Sequence, residues 1–126
     1  MIHAYNDVYL EKAQSNFAEM LDYAVWTQSM DLFSFFRSFL STKVSTAIEN
    51  GDYRYISGMS GIELCYEVLD QSGVKYQRRE PVFCLDRTRE YWCGWVLAYY
   101  QWYTNLSFEE IEKHVSIKTI LEMYTP

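Results

Sequence analysis

The chain holds three cysteines and two histidines, and their spacing limits the covalent chemistry open to it. A cysteine nucleophile needs a thiolate drawn out by a neighbouring imidazole or a helix start. The imidazoles are His3 and His114. Cys65 and Cys93 fall where helical periodicity places apolar residues, so they read as small hydrophobes. Cys84 is the one thiol in a loop-like stretch, which makes Cys84 with His114 the Cys/His pair to weigh against a non-catalytic reading. Zinc would call for a Cys-x-x-Cys or a His-x3-His spacing, and neither occurs. Gly58 and Gly61 flank a serine, but the lysine of a phosphate-binding loop does not follow. Glu63 and Glu67 stand one helical turn apart like paired carboxylates, yet nothing opposes them with the metal or acid partner such chemistry needs, so they read as a solvated face. The expectation is a protein without catalytic residues, metal or cofactor, and not an enzyme.

Binding chemistry is better represented. Lys75, Arg78, Arg79, Arg87 and Arg89 gather between positions 75 and 90, where Glu80, Asp86 and Glu90 are the acidic residues. A guanidinium fork suits a carboxylate or phosphate on a partner. The alternative is a solvated connection whose charges meet the acidic body. A net charge of −6 argues against non-specific binding to DNA or RNA and is compatible with a basic protein partner. Aromatic residues make up 18% of the chain, more than a small core absorbs, and Tyr and Trp join an apolar body to a polar tip that suits interfaces. The partner-binding candidates are therefore Tyr53, Tyr55, Arg78, Arg79, Arg87 and Arg89, and the surplus rings also make a homodimer reasonable. Residues 108–113, a turn at 114–116 and a second helix from Ile117 have the spacing of a helix-turn-helix. That second helix offers Lys118 alone for DNA, behind Glu109, Glu110 and Glu112, so a helical corner packed on the core is the plainer reading.

These side chains call for an all-α fold: a single compact bundle of about five or six helices, one domain over residues 1–126. Apolar residues at threes and fours predict a helix over 5–28, with Asn6 or Asp7 as its cap. Asp31 caps a second, phenylalanine-rich helix running to Gly51, with Ser41-Thr42-Lys43 as a point where it bends or breaks. Residues 52–58 read as a loop. Ser60-Gly61-Ile62-Glu63 is a capping box that starts a third helix ending at Gly73. Residues 74–86 form the irregular connection, with Val82-Phe83-Cys84-Leu85 as an extended anchor. The densest aromatic run, 91–104, reads as a central helix surrounded on all sides; Gly94 and Gln101 form its one gap, suited to close approach of another helix backbone. Asn105 stops it, Ser107 and Glu110 form a second capping box, and Ser116 caps a last helix. An odd number of scattered cysteines excludes a complete disulfide framework, and no secretory leader is visible, so a cytoplasmic setting is expected.

Two stretches carry a family likeness. Tyr55-Ile56-Ser57-Gly58-Met59-Ser60-Gly61-Ile62-Glu63-Leu64 and Glu90-Tyr91-Trp92-Cys93-Gly94-Trp95-Val96-Leu97-Ala98-Tyr99-Tyr100-Gln101-Trp102-Tyr103, together with Ala4-Tyr5-Asn6, resemble a group of small uncharacterised helical proteins of Gram-positive gut bacteria. Members of that group are encoded beside small partners and ADP-ribosyltransferase-like, toxin-like proteins. The resemblance implies a role in a toxin–antitoxin or mobile-element locus and supplies no catalytic residues. The expected function is thus a non-catalytic protein-binding regulator of antitoxin or immunity type that occludes a basic partner. A phage or mobile-element inhibitor of a host defence nuclease, anti-CRISPR-like in its logic, has the same physical requirements, and a helix-turn-helix DNA-binding regulator is the further alternative.

Overall fold

The computed structural model describes residues 2–82 and 87–124. Regular structure there is helical: α1 (Leu10–Asp22), α2 (Leu32–Leu40), α3 (Lys43–Glu49), α4 (Tyr53–Ile56), α5 (Gly61–Ser72), α6 (Arg89–Thr104), α7 (Phe108–His114) and α8 (Ile117–Glu122), with no strand among the described residues. A 3-10 turn at Asp7–Tyr9 leads into α1, and the Asn6 side chain caps it by accepting from the Val8 N–H at 3.0 Å. The helix continues past Asp22 into a π-helical turn, Tyr23–Thr27, where the Gln28 N–H donates to the Tyr23 carbonyl at 3.0 Å. Ser29 at φ 58° ends it.

The number of helices exceeds the expected five or six for two local reasons. The predicted second helix is cut in two because hydroxyls at the suspected break take up the helix carbonyls: Ser41 Oγ donates to Ser38 O and Thr42 Oγ1 to Phe39 O, both at 2.7 Å. Gln71 of α5 then accepts from the Lys43 N–H at 2.8 Å and starts α3. The stretch 52–58, expected as loop, contains the single turn α4, nucleated by the Asp52 side chain accepting from the Arg54 N–H at 3.0 Å. Elsewhere the caps are as read. Ser60 with Glu63 and Ser107 with Glu110 form complete capping boxes, Ser116 caps α8, and Gly73 and Asn105 adopt left-handed conformations at φ 72° and 58°. Residues 74–82 are irregular, as expected; Phe83, Cys84 and Leu85 of the proposed anchor lie outside the described residues.

The expectation of a fully enclosed aromatic helix is corrected. α6 buries Cys93, Gly94, Leu97, Ala98, Gln101 and Trp102, while Tyr91, Trp92 and Trp95 are half-buried and Tyr99 and Tyr103 are exposed. The Gly94 and Gln101 strip is the packing face, as its suitability for close approach of another helix backbone led one to expect. Small residues permit what rings forbid: a Cβ on Gly94 would stand 2.7 Å from Ala18 Cα, so the backbones of α6 and α1 are nearly in contact. On its other side α1 meets α5 as closely, since a Cβ on Gly61 would lie 2.4 Å from the Asn16 carbonyl oxygen. α1 is thus the enclosed helix. Phe17 of α1, Phe39 of α2 and Phe108 of α7 meet at ring separations of 5.3, 5.2 and 5.1 Å and centre the core. Two polar side chains of α1 within it find carbonyls: Asn16 Nδ2 donates to Ile56 O and Gln14 Nε2 to Trp95 O, each at 3.1 Å. The N-terminal segment is fastened to the far end of α6, where Trp102 Nε1 donates to Tyr5 O at 2.7 Å and the His3 ring stacks 4.0 Å from that of Trp102.

Candidate functional site

The irregular segment 74–82 gains its position from the buried hydroxyl of Tyr23. That hydroxyl donates to the Arg79 carbonyl at 2.7 Å, so the 2.7 Å bond to Tyr66 is donated by Tyr66. Gln28 Nε2 donates to the Gln77 carbonyl at 2.7 Å, and the Val82 N–H donates to Thr27 Oγ1 at 3.0 Å. The π turn therefore acts as a clamp, and its widened backbone is what brings Tyr23, Thr27 and Gln28 under the segment. The phenol of Tyr66 is held above its usual pKa by burial and by the Tyr23 hydroxyl.

Clamping this segment builds a shallow cleft of about 130 Å³ on α5, lined by Met59, Glu63, Tyr66, Glu67, Asp70 and Arg78. The carboxylates recur at i, i+4 and i+7, so the helix aligns them on one side. Glu63 Oε1 also accepts from the Ser60 N–H at 3.2 Å, and Asp70 Oδ1 accepts from the Tyr76 hydroxyl at 2.9 Å. The Tyr76 phenol is raised by desolvation and by Asp70 beside it. Tyr76 stacks on Tyr66 at 5.0 Å and 9°, and the Arg78 guanidinium lies 4.6 Å from the Tyr66 centroid. Among the described residues the ion pair within 4.0 Å is Arg89–Glu90, so Arg78 rests on a ring and closes no bridge to the carboxylates around it. A cleft lined by three carboxylates, with Arg78 held on the Tyr66 ring instead of bridging them, is fit to receive a cationic side chain at its carboxylate edge.

The six sequence candidates fall in separate places. Tyr53 pairs with Tyr9 at 4.7 Å, and Tyr55 packs on the core beneath Arg54, whose guanidinium is 5.5 Å from the ring. Arg78 belongs to the cleft, whereas Arg79 contributes its backbone to the Tyr23 clamp. Arg87 lies 4.2 Å over Tyr91 at the start of α6, and Arg89 Nε donates to Glu90 at 3.1 Å. Glu90 is 3% exposed and accepts from Trp26 Nε1 at 2.7 Å. Asp22 accepts there from the Thr88 hydroxyl; burial holds its carboxyl above the usual range, the Thr88 bond lowers it, and the Glu90 charge raises it. Tyr66, Asp70 and Met59 went unnoticed in the sequence, although the period from Glu63 through Glu67 to Asp70 was there to extend.

Burial pushes the Cys65 and Cys93 thiols up to about 12, which leaves them protonated and inert. Cys84 lies outside the described residues, and His114 sits exposed at the end of α7. Among the described residues no three His, Cys, Asp or Glu side chains converge as a metal site, and no helix is long and apolar enough to cross a membrane. The helical corner of α7 and α8 turns Phe108, Ile111, Ile117 and Ile120 into the core. No protein-family model, curated protein or solved structure matches the chain.

Proposed function

We propose that this chain is a non-catalytic, protein-binding regulator of antitoxin or immunity type, a single helical domain acting in the cytoplasm by covering a functional surface of a basic partner. The observation that carries the reading is the α5 cleft, a mainly polar pocket in which Glu63, Glu67 and Asp70 line one side. A lysine or arginine of the partner enters beside the carboxylates, with its methylenes against Met59 and its charge on Glu63 and Glu67. The net charge of −6 hastens encounter, and the desolvated aromatic contact sets residence time. Tyr53, 54% exposed on the helical turn that precedes Met59, adds an anchor beyond the cleft.

Glu67 is the residue to change, because Glu63 also caps α5 and Asp70 also holds Tyr76. Affinity capture from a native-like lysate with the wild type and with Glu67→Lys, read by mass spectrometry, tests the proposal. A basic protein retained by the wild type and lost by at least about tenfold on charge reversal, roughly 1.4 kcal/mol, supports it. Equal retention by a Glu67→Lys chain of unchanged circular dichroism, or capture of acidic proteins only, refutes it. A defence nuclease among the captured proteins selects the mobile-element inhibitor.

A further inference from the structure

Segment 74–82 is fastened to the body in an unusual way. The Val74 N–H donates to the Leu69 carbonyl at 3.0 Å and completes the end of α5. Past Val74, the main-chain bonds of the segment among the described residues run to the side chains of Tyr23, Thr27 and Gln28. Most of these bonds meet at one atom. The Tyr23 hydroxyl donates to the Arg79 carbonyl and accepts from the Tyr66 hydroxyl, both at 2.7 Å, and Gln28 Nε2 and the Arg79 N–H approach it at 3.2 and 3.3 Å. The same Gln28 nitrogen donates to the Gln77 carbonyl at 2.7 Å. Bonds that share partners polarise and position one another, so they form and fail together.

Apolar cohesion across this contact is small. Tyr76, stacked on Tyr66, is the half-buried residue of the segment, and the others are exposed. The rings that centre the core, Phe17, Phe39 and Phe108, belong to α1, α2 and α7, and the π turn is held by bonds of its own, from the Gln28 N–H to Tyr23 O at 3.0 Å and from the Met30 N–H to Ala24 O at 2.9 Å. Neither needs the segment in place. At one end stands Gly73 at φ 72°, where even a Cβ would meet nothing within 4 Å; past the other, Thr88 caps α6 and its hydroxyl donates to Asp22. We infer that 74–82 is a strap that opens and closes as one unit on an otherwise intact fold, hinged at Gly73 and latched by the Tyr23 hydroxyl. Elements with few buried apolar contacts and exposed bonds open locally in this manner. Arg78 leaves with the strap, so the α5 cleft it lines exists in the closed state and is lost in the open one. The strap thereby sets whether the cleft is offered, and it does so whether or not a basic partner uses it.

Trypsin acting on the folded chain tests the inference, because Lys75, Arg78 and Arg79 are exposed in the strap and a protease cuts only a segment it can draw away from the body. Mass spectrometry reads the cuts after these three residues. In the wild type they are expected to form at least about tenfold more slowly than in a free peptide of residues 70–82, yet to quicken with urea far less steeply than global unfolding does, since little surface is exposed on opening. Gln28→Ala removes two of the latch bonds from a half-buried position and should speed the cuts at least about fivefold, with unchanged circular dichroism. Gly94→Ala, whose added Cβ would press on Ala18 of α1, loosens the whole fold and should leave their rate as it is. A strap cut as fast as the free peptide overturns the latch. Cuts that share the urea dependence of global unfolding, or that Gly94→Ala quickens as much as Gln28→Ala does, overturn local opening, and indifference to Gln28→Ala overturns the part assigned to the π turn.

Discussion

Replacing Gly94 by alanine sets two effects of opposite sign against each other. Within a helix an alanine is favoured over glycine by about 1 kcal/mol, and judged from α6 alone the variant is more stable. Packing predicts otherwise. The added Cβ would stand 2.7 Å from Ala18 Cα, 3.1 Å from the Phe17 carbonyl oxygen and 3.2 Å from the Ala18 nitrogen, whereas ordinary contact begins at 3.4 Å. The helices must separate by about 0.7 Å, and the atoms met are backbone, which cannot swing aside as a side chain can. Overpacking of this kind costs about 1–3 kcal/mol. The α1–α6 contact is the most extensive in the fold, so the cost belongs at the upper end, and the net loss is about 2 kcal/mol. With roughly 2.1 cal/mol/K of unfolding entropy per residue, that loss lowers Tm by about 8 °C. Urea titration at constant m-value and a thermal scan followed at 222 nm measure it. A Gly94→Ala chain as stable as the wild type, or more so, refutes the close approach of α6 to α1.

Two further outcomes follow from the buried titratable groups. Because the Asp22 carboxyl is raised above its ordinary 3.8, the folded chain binds a proton more tightly than the unfolded one, and stability falls as pH rises from that value through the folded one. Asp22→Asn keeps an acceptor for Thr88 and removes the charge, so its stability relative to wild type should grow with pH over that window; urea midpoints that differ by a constant amount at every pH count against it. Cys65 and Cys93, with thiols pushed up to about 12, should resist a thiol reagent in a Cys84→Ser background until urea unfolds the chain. Prompt labelling of either in the folded state contradicts their burial.

Helix ends were legible where a side chain capped its own turn. Ser60, Ser107 and Ser116 mark their helices within three residues of sequence, as do Gly73 and Asn105 at the stops. Partners that reach a helix start from a distance were not: the Lys43 N–H is met by Gln71, and the Gly61 and Phe108 N–H groups, at starts that Ser60 and Ser107 already mark, by Glu19 and Glu49, each at 2.7 or 2.8 Å. The role of the aromatic helix was misjudged because the size of its rings was taken as a measure of burial, while tryptophan and tyrosine keep a polar tip and are only intermediate in burial, and close helix packing favours glycine and alanine. Gly94 was the correct signal for the contact and its neighbours the wrong one. The cleft needed a tertiary event to exist, namely segment 74–82 being drawn over α5 by Tyr23, and no local pattern announces a hydroxyl reaching 56 residues along the chain.

The enclosure of α1 also fixes the order in which the molecule can be completed. Gln14 finds its acceptor 81 positions further on, and Tyr5 its donor 97 further on. During synthesis α1 emerges well before α5 and α6, so both of its flanks stay bare until those helices have left the ribosome. Long-range closure of this kind is slow to nucleate, and a chain stopped before α6 presents unprotected apolar sides to chaperones and proteases.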